Sequence, residues 1–409
     1  MRRSFLPFVG LFATTLLLAA CGVHQAPLPW ATGASAFATE SAVAHHWAKI
    51  ELLTDSSPEF PTEHMRPNGR QTDPEIVQAF GTAMPPSRDA LLHFAKGWDT
   101  GHGTPVLLVH GAMEDATSSW FDPHGHEGLA TYLAGKGFRV FAITFAHRHG
   151  DNTLQAEQIA NAIARIRAVT GAAQVDVVAH SKGCVAARAL ASGIKAPWMK
   201  GYQHDIRRLV LIAGPELGID YTFRHSSVNF ALFPEHDQTL LNAPMSWTRM
   251  LVGGVWMDSG ADSIDTDHGN YFPGQCQLLA RWDKTYPLSE TEQDWYTTYY
   301  GGQGFVSFSE GIDKAIAQGG HYIDQLRAHP LDSGVQLAVL AGDSATMPNI
   351  LNETDGPSDG VVFVKSASYT DDMTKGGAKL VEKTIMHLCH MDLIIDPQAH
   401  KWVADVLSR

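Results

Sequence analysis

Residues 175–190 read VDVVAHSKGCVAARAL, with one serine between an apolar run and an alanine-rich segment. A serine alcohol is a weak nucleophile. It reacts when a neighbouring base takes its proton and a third group orients that base. Ser181 lies in Ala179-His180-Ser181-Lys182-Gly183. This approaches the pattern G-x-S-x-G, whose small residues relieve crowding at a strained strand-to-helix turn. Alanine in place of the first glycine is still small. A serine that merely caps a helix would occupy the same position. The partners have to come from elsewhere. PSDGVVFVKSA offers Asp359, LAGDSATMP offers Asp343, and Asp355 is a third acid. TIMHLCHMDLIID offers His387 and His390. Serine, acid and histidine in that chain order suit attack on an acyl carbonyl through a covalent acyl-enzyme.

Two other polar clusters could hold a metal. FDPHGHEG contains Asp122, His124, His126 and Glu127, and FAHRHGD contains His147, His149 and Asp151. Neither has a specific ligand spacing. They read as polar loops lining one face, no metal is expected, and Asp151 is placed to cap the following helix.

The elements that must position these residues are legible from periodicity. Short apolar runs recur at residues 106–109, 140–143, 175–178, 209–212 and 337–340. Continuous runs of that length suit strands buried on both faces. Helical patterns lie between them. In LQAEQIANAIARIRAVTG, Ile159, Ile163 and Ile166 share a face and Gly171 supplies the stop. GLATYLAGKGF reads as a second helix ending near Gly135, PEIVQAFG as a short helix after Pro74, and WAKIELLT as a strand. Strand and helix in alternation imply an α/β fold with a mostly parallel sheet flanked by helices. Residues 215–333 break the rhythm and are rich in Trp, Tyr, Phe, Gly and Asp. A structureless loop of that length is improbable, so an inserted cap or lid is expected, its aromatics forming either an apolar pocket or the cap's own small core. The core would then span residues 46–214 and 334–409.

The segments GAAQVDVVAHSKG, SDGVV and CHMD are similar to the nucleophile, acid and histidine segments of the α/β-hydrolase superfamily, and within it the chain resembles bacterial lipases and class 2 lipases. The resemblance covers roughly residues 103–214 and 335–395. It implies Ser181 as nucleophile, His390 as base and Asp359 as the acid that holds the histidine. His390 is preferred to His387 because His-Met-Asp resembles those lipases' His-Leu-Asp. Asp343 is the rival acid, since many members place theirs directly after that strand. The backbone N–H groups of Ala112 and Lys182 would form the oxyanion hole, with His110 structural. The activity implied is a serine carboxylic-ester hydrolase that uses no cofactor and acts on a small-molecule or lipid ester. The same triad could transfer acyl groups or cut a polyester, thioester or amide, because fold and triad do not choose the leaving group. A silent binding module on this scaffold is the remaining class.

The N-terminus carries a different signal. Arg2 and Arg3 precede the apolar stretch FLPFVGLFATTLLLAA, which ends at Cys21 and Gly22. The order is that of a secretory signal over residues 1–20. Leu18-Ala19-Ala20-Cys21 resembles a bacterial lipobox, which implies cleavage before Cys21, its diacylation, and export to the outer membrane or cell surface. Residues 21–45 form an Ala-, Pro-, Gly- and Ser-rich tether. Cleavage removes two arginines and no acid, taking the formal charge from −13 to −15. So acidic a chain is a poor match for nucleic acid. Cys184, Cys276 and Cys389 remain, an odd set that allows at most one internal bridge; buried thiols are expected.

Overall fold

In the computed structural model the described residues are 46–63, 71–225, 249–252, 255–258, 264–265, 269–270, 273–288, 299–303, 307–309, 311–348 and 352–409. The expected signal, tether and lipidated Cys21 lie outside them.

Eight strands form one sheet: β1 (Lys49–Thr54), β2 (Asp89–Phe94), β3 (His102–Val109), β4 (Phe138–Phe145), β5 (Val175–His180), β6 (Ile206–Ile212), β7 (Gln336–Gly342) and β8 (Lys379–Met386). Their spatial order is β1-β2-β4-β3-β5-β6-β7-β8. β2 runs antiparallel to both β1 and β4. From β4 to β8 every pairing is parallel. This open sheet, with helices on both faces, is the α/β-hydrolase fold.

The apolar runs become strands because both faces are covered. Residues of β3 and β5 alternate between two cores: Leu107, Val109, Val177 and Ala179 on one face, Val106, Leu108 and Val178 on the other. The first core is closed by helices α3 (Asn152–Thr170) and α4 (Lys182–Ala191), the second by α2 (Leu129–Gly135) and α7 (Pro397–Leu407). Ile159, Ile163 and Ile166 on α3 are fully buried. Each such side chain contributes about 1.5–3 kcal/mol relative to an exposed one. Asp151 caps α3, accepting the N–H groups of Thr153 and Leu154, and Gly171 ends it in the left-handed conformation at φ 70°. The short helix after Asp73 is α1 (Pro74–Phe80).

Strands β2 and β8 are not announced by an apolar run. β2 is buried throughout, yet its pattern is interrupted by His93, whose ring meets Thr144 Oγ1 at 2.8 Å. β8 is an edge strand with alternating exposure.

The interval between β6 and β7 holds short strands at Arg249–Val252, Val255–Asp258, Gly302–Gln303 and Ser307–Ser309 that pair into one small sheet. It also holds helices α5 (Ile312–Gln318) and α6 (Tyr322–Ala328). Composition places the whole interval in the cap. However, Tyr322, Ile323 and Leu326 of α6 pack into the main core, and Arg188 Nη2 donates to the Leu326 carbonyl at 3.1 Å. α6 therefore belongs to the layer that covers the sheet. Cys184, Cys276 and Cys389 are buried free thiols.

Candidate active site

β5 enters the sheet's centre and stops at His180. Ser181 then takes φ 52° and ψ −126°, a conformation costly for any residue with a Cβ, and α4 begins at Lys182. Closeness enforces the turn. Ser181 N–H donates to the Ile212 carbonyl at 2.9 Å. A Cβ on Gly183 would stand 2.4 Å from the His110 carbonyl oxygen, so glycine is required there. Ala179 is fully buried and tolerated in place of the first glycine.

The helix-cap alternative is answered by the side chain. Ser181 occupies the N-cap position of α4 and makes no capping bond. Its Oγ instead lies 3.0 Å from His390 Nε2. His390 Nδ1 lies 2.8 Å from Asp359 Oδ2. Asp359 Oδ1 accepts the N–H groups of Val361 and Val362 at 3.0 and 2.7 Å, and the His390 N–H donates to the Asp359 carbonyl at 2.8 Å. The carboxylate and ring are thus fixed on both sides in a buried setting. Burial works against a charged His390 ring, but the Asp359 charge and hydrogen bond outweigh it, with Glu114 adding to them. The ring is held above the ordinary histidine value of 6.5.

The other acids and histidines go elsewhere. Asp343 and His387 pair with each other at 2.8 Å in an exposed position. Asp355 accepts from Arg224 Nη1 at 2.7 Å. That guanidinium is fully buried and also faces Asp220 at 2.9 Å and Glu353 at 3.4 Å. Residue type and spacing gave no sign of Arg224, which ties the acid loop, residues 352–363, to the start of the insertion.

The loop after β3 lies against the serine: a Cβ on Gly111 would be 3.0 Å from Ser181 Cβ. Ala112 follows in this loop, and Lys182 directly follows the serine. Among the described residues neither of their N–H groups meets an acceptor. His110 is buried with a neutral ring's two partners: Nδ1 donates to the Gly111 carbonyl at 2.7 Å and Nε2 accepts the Phe145 N–H at 3.2 Å. Burial holds it below the ordinary histidine value.

Two residues near the serine were left without a role by the sequence. His180 Nε2 lies 3.2 Å from the His390 carbonyl oxygen, and its Nδ1 lies 3.6 Å from Glu114 Oε2. That same Glu114 oxygen accepts the Gly111 N–H at 3.2 Å and the Ser119 hydroxyl at 2.8 Å. Burial alone would raise the Glu114 carboxyl, but His180, Ser119 and His110 together draw it down to about 2. The signal was present in the pentapeptide, where His180 was read only as a neighbour of the nucleophile.

The Lys182 side chain is buried and donates to Gln155 Oε1. Burial lowers its ammonium to about 7. Beside it the insertion returns to the core: Gly274 N–H donates to the His149 carbonyl at 3.0 Å, Asn152 Nδ2 to the Gly274 carbonyl at 3.0 Å, and Gln275 Nε2 approaches His149 Nδ1 at 3.0 Å. The polar cluster at residues 147–151 therefore serves as a seat for the insertion. Asp122, His124, His126 and Glu127 are exposed. Among the described residues no group of three or more His, Cys, Asp or Glu is arranged to hold a metal.

Residues 78–226 match the model of a family described as a domain of unknown function (DUF7379), which is less than half of the chain. Among solved structures the chain is similar to the mature form of the Bacillus licheniformis lipase BlEst2, at 14% identity over 74% of this chain and 91% of that one, TM-score 0.41. It is also similar to the product of gene lin2722 from Listeria innocua, at 14% identity over 74% and 92%, TM-score 0.38. A thioesterase domain from the curacin biosynthetic pathway matches at 18% identity over 78% and 95%, TM-score 0.34. These overlaps are loose, and the fold rests on the strand order above.

Proposed function

We propose that the protein is a serine carboxylic-ester hydrolase acting through an acyl-enzyme. The observation that carries this reading is the line of contacts from Ser181 Oγ through the His390 ring to Asp359, at 3.0 and 2.8 Å. Ser181 Oγ attacks the acyl carbonyl while its proton passes to His390 Nε2. The carbonyl oxygen gains a negative charge, which the Ala112 and Lys182 N–H groups receive. Their place beside the positive end of α4 favours that charge. As the intermediate collapses, the leaving alkoxide takes the proton from His390 and departs as the alcohol. Water then attacks the ester of Ser181, losing a proton to His390, and the acid leaves as the serine recovers its hydrogen. Asp359 keeps the Nδ1 proton in place and stabilises the imidazolium each time it forms. No cofactor enters this scheme.

The substrate is proposed to be a small-molecule or lipid ester, met at a membrane surface through a lipid on Cys21. That part rests on the sequence of residues 1–21 alone. It is checked by incorporation of labelled fatty acid into the wild-type chain but not into Cys21→Ala.

The decisive test is hydrolysis of p-nitrophenyl esters of increasing acyl length by the wild type and by Ser181→Ala. Activity in the wild type that falls by a factor on the order of 10⁶ in the variant is expected. Full activity in Ser181→Ala would discard the mechanism. The chain-length profile would divide a short-chain esterase from a lipase.

A further inference from the structure

Both ring nitrogens of His180 face oxygen acceptors. Nε2 lies 3.2 Å from the His390 carbonyl oxygen and Nδ1 lies 3.6 Å from Glu114 Oε2. A neutral imidazole has one N–H and one lone pair. With the proton on Nε2, the Nδ1 lone pair would face a carboxylate. With the proton on Nδ1, the Nε2 lone pair would face a carbonyl. Either arrangement sets two electron pairs against each other where the ring is only 1% exposed and water cannot intervene. His110 shows the contrast, since it has one acceptor and one donor and suits a neutral ring.

We propose that His180 is a positioning residue that carries both ring protons at neutral pH, forming a buried ion pair with Glu114 and a charge-assisted bond to the backbone of His390. The inference rests on the reading of His390 as the base. It gives the pair two tasks. One is mechanical. Glu114 holds the Gly111 N–H and His180 holds the His390 carbonyl, so the oxyanion loop and the base are joined through two side chains. The other is electrostatic. The His180 ring centroid lies 4.9 Å from that of His390, and the rings are tilted by 45°. A positive charge there opposes protonation of His390, while the Glu114 charge favours it; the two offset one another. Asp359 is then the one uncompensated charge that sets the base. The other charged or titratable groups around this cluster among the described residues are His110, Asp115 and Arg148. Asp115 and Arg148 stand 3.9 Å apart as a pair of their own.

The test is the pH profile of kcat/KM on a short p-nitrophenyl ester for four proteins: wild type, His180→Gln, Glu114→Gln and the double variant. In His180→Gln the Glu114 charge loses its partner, so the acid limb moves to higher pH. The double variant returns it to the wild-type position. Glu114→Gln alone lets His180 shed its proton, removing both charges together, and leaves the limb in place. A neutral His180 gives the opposite pattern: His180→Gln leaves the limb in place and Glu114→Gln moves it down. That result overturns the proposal. A purely structural role changes rates without moving the limb, which also overturns it. Ring ¹⁵N chemical shifts of wild-type protein at neutral pH give an independent answer if a variant fails to fold. Two protonated nitrogens on His180 support the proposal, and one protonated nitrogen ends it. Should the wild type hydrolyse no ester, the proposed function falls, and the ¹⁵N measurement still decides the charge of His180.

Discussion

Two aspartate–histidine pairs stand beyond the carboxyl ends of β7 and β8. Asp343–His387 and Asp359–His390 both place a carboxylate oxygen 2.8 Å from a histidine Nδ1. In the first pair the histidine and aspartate side chains are 84% and 44% exposed; in the second they are 7% and 0% exposed. The bond length is therefore no guide to what each pair can do. Water and salt screen the outer pair, which is worth at most about 1 kcal/mol. The inner pair sits where charges act at low dielectric, and its carboxylate accepts two further N–H groups. Only the inner histidine reaches Ser181. A working base needs the third partner and the dry surroundings as much as its aspartate.

The largest effects should separate the pairs outright. Asp359→Asn is expected to lower kcat by about 10⁴-fold, because the amide favours the wrong tautomer of His390. Asp343→Asn should change kcat by less than about twofold, as an exposed pair contributes little. Equal losses from the two substitutions would break the comparison. Arg224→Met probes what holds the inner acid. It leaves Asp220, Glu353 and Asp355 without their shared cation, and a loss of about 3–5 kcal/mol in chemical denaturation is expected, together with lowered activity. The outer pair has no such anchor, and His387→Ala should leave the midpoint unchanged.

The pH profile sharpens the point further. His390 must be neutral to accept the serine proton. Its raised value favours the protonated form, so activity should fade as pH drops through a limb lying above the ordinary histidine value of 6.5. Asp359→Asn should shift the limb of the remaining activity downward. The smallest effect concerns Lys182, held at about 7 in the fold against 10.5 in the open chain. A lysine lowered on folding imposes a cost that is absent above about 10.5 and complete below about 7. Wild-type stability relative to Lys182→Met should therefore rise with pH across that window, read as the difference in Tm. A flat difference would mean the ammonium is not desolvated.

How far the sequence led depended on how local each signal was. The central strands were readable because burial on both faces leaves an unbroken apolar run, as at Val177 and Leu211. The serine turn was readable because its constraints fall within five residues, from Ala179 to Gly183. The choice of acid was not local. Asp343 directly follows its strand, whereas Asp359 reaches His390 only through the path of residues 344–358, which periodicity does not encode. Arg224, Glu114 and the paired role of His180 depend on contacts between segments far apart in the chain, such as the 131 positions between Arg224 and Asp355. β8 was hidden because an edge strand alternates like any half-exposed segment.

That edge position has a consequence for how the molecule should fail. β8 has a single neighbour in the sheet, and Leu380 and Ile385 on it are 39% and 50% exposed. Yet it leads directly into the loop that delivers His390 to the serine. Segments with few buried contacts open at lower free energy than the core. On heating, the edge should peel away while β3, β5 and β6 still hold, and the histidine would leave with it. Inactivation should then precede melting, with esterase activity lost several degrees before the circular dichroism of the sheet changes.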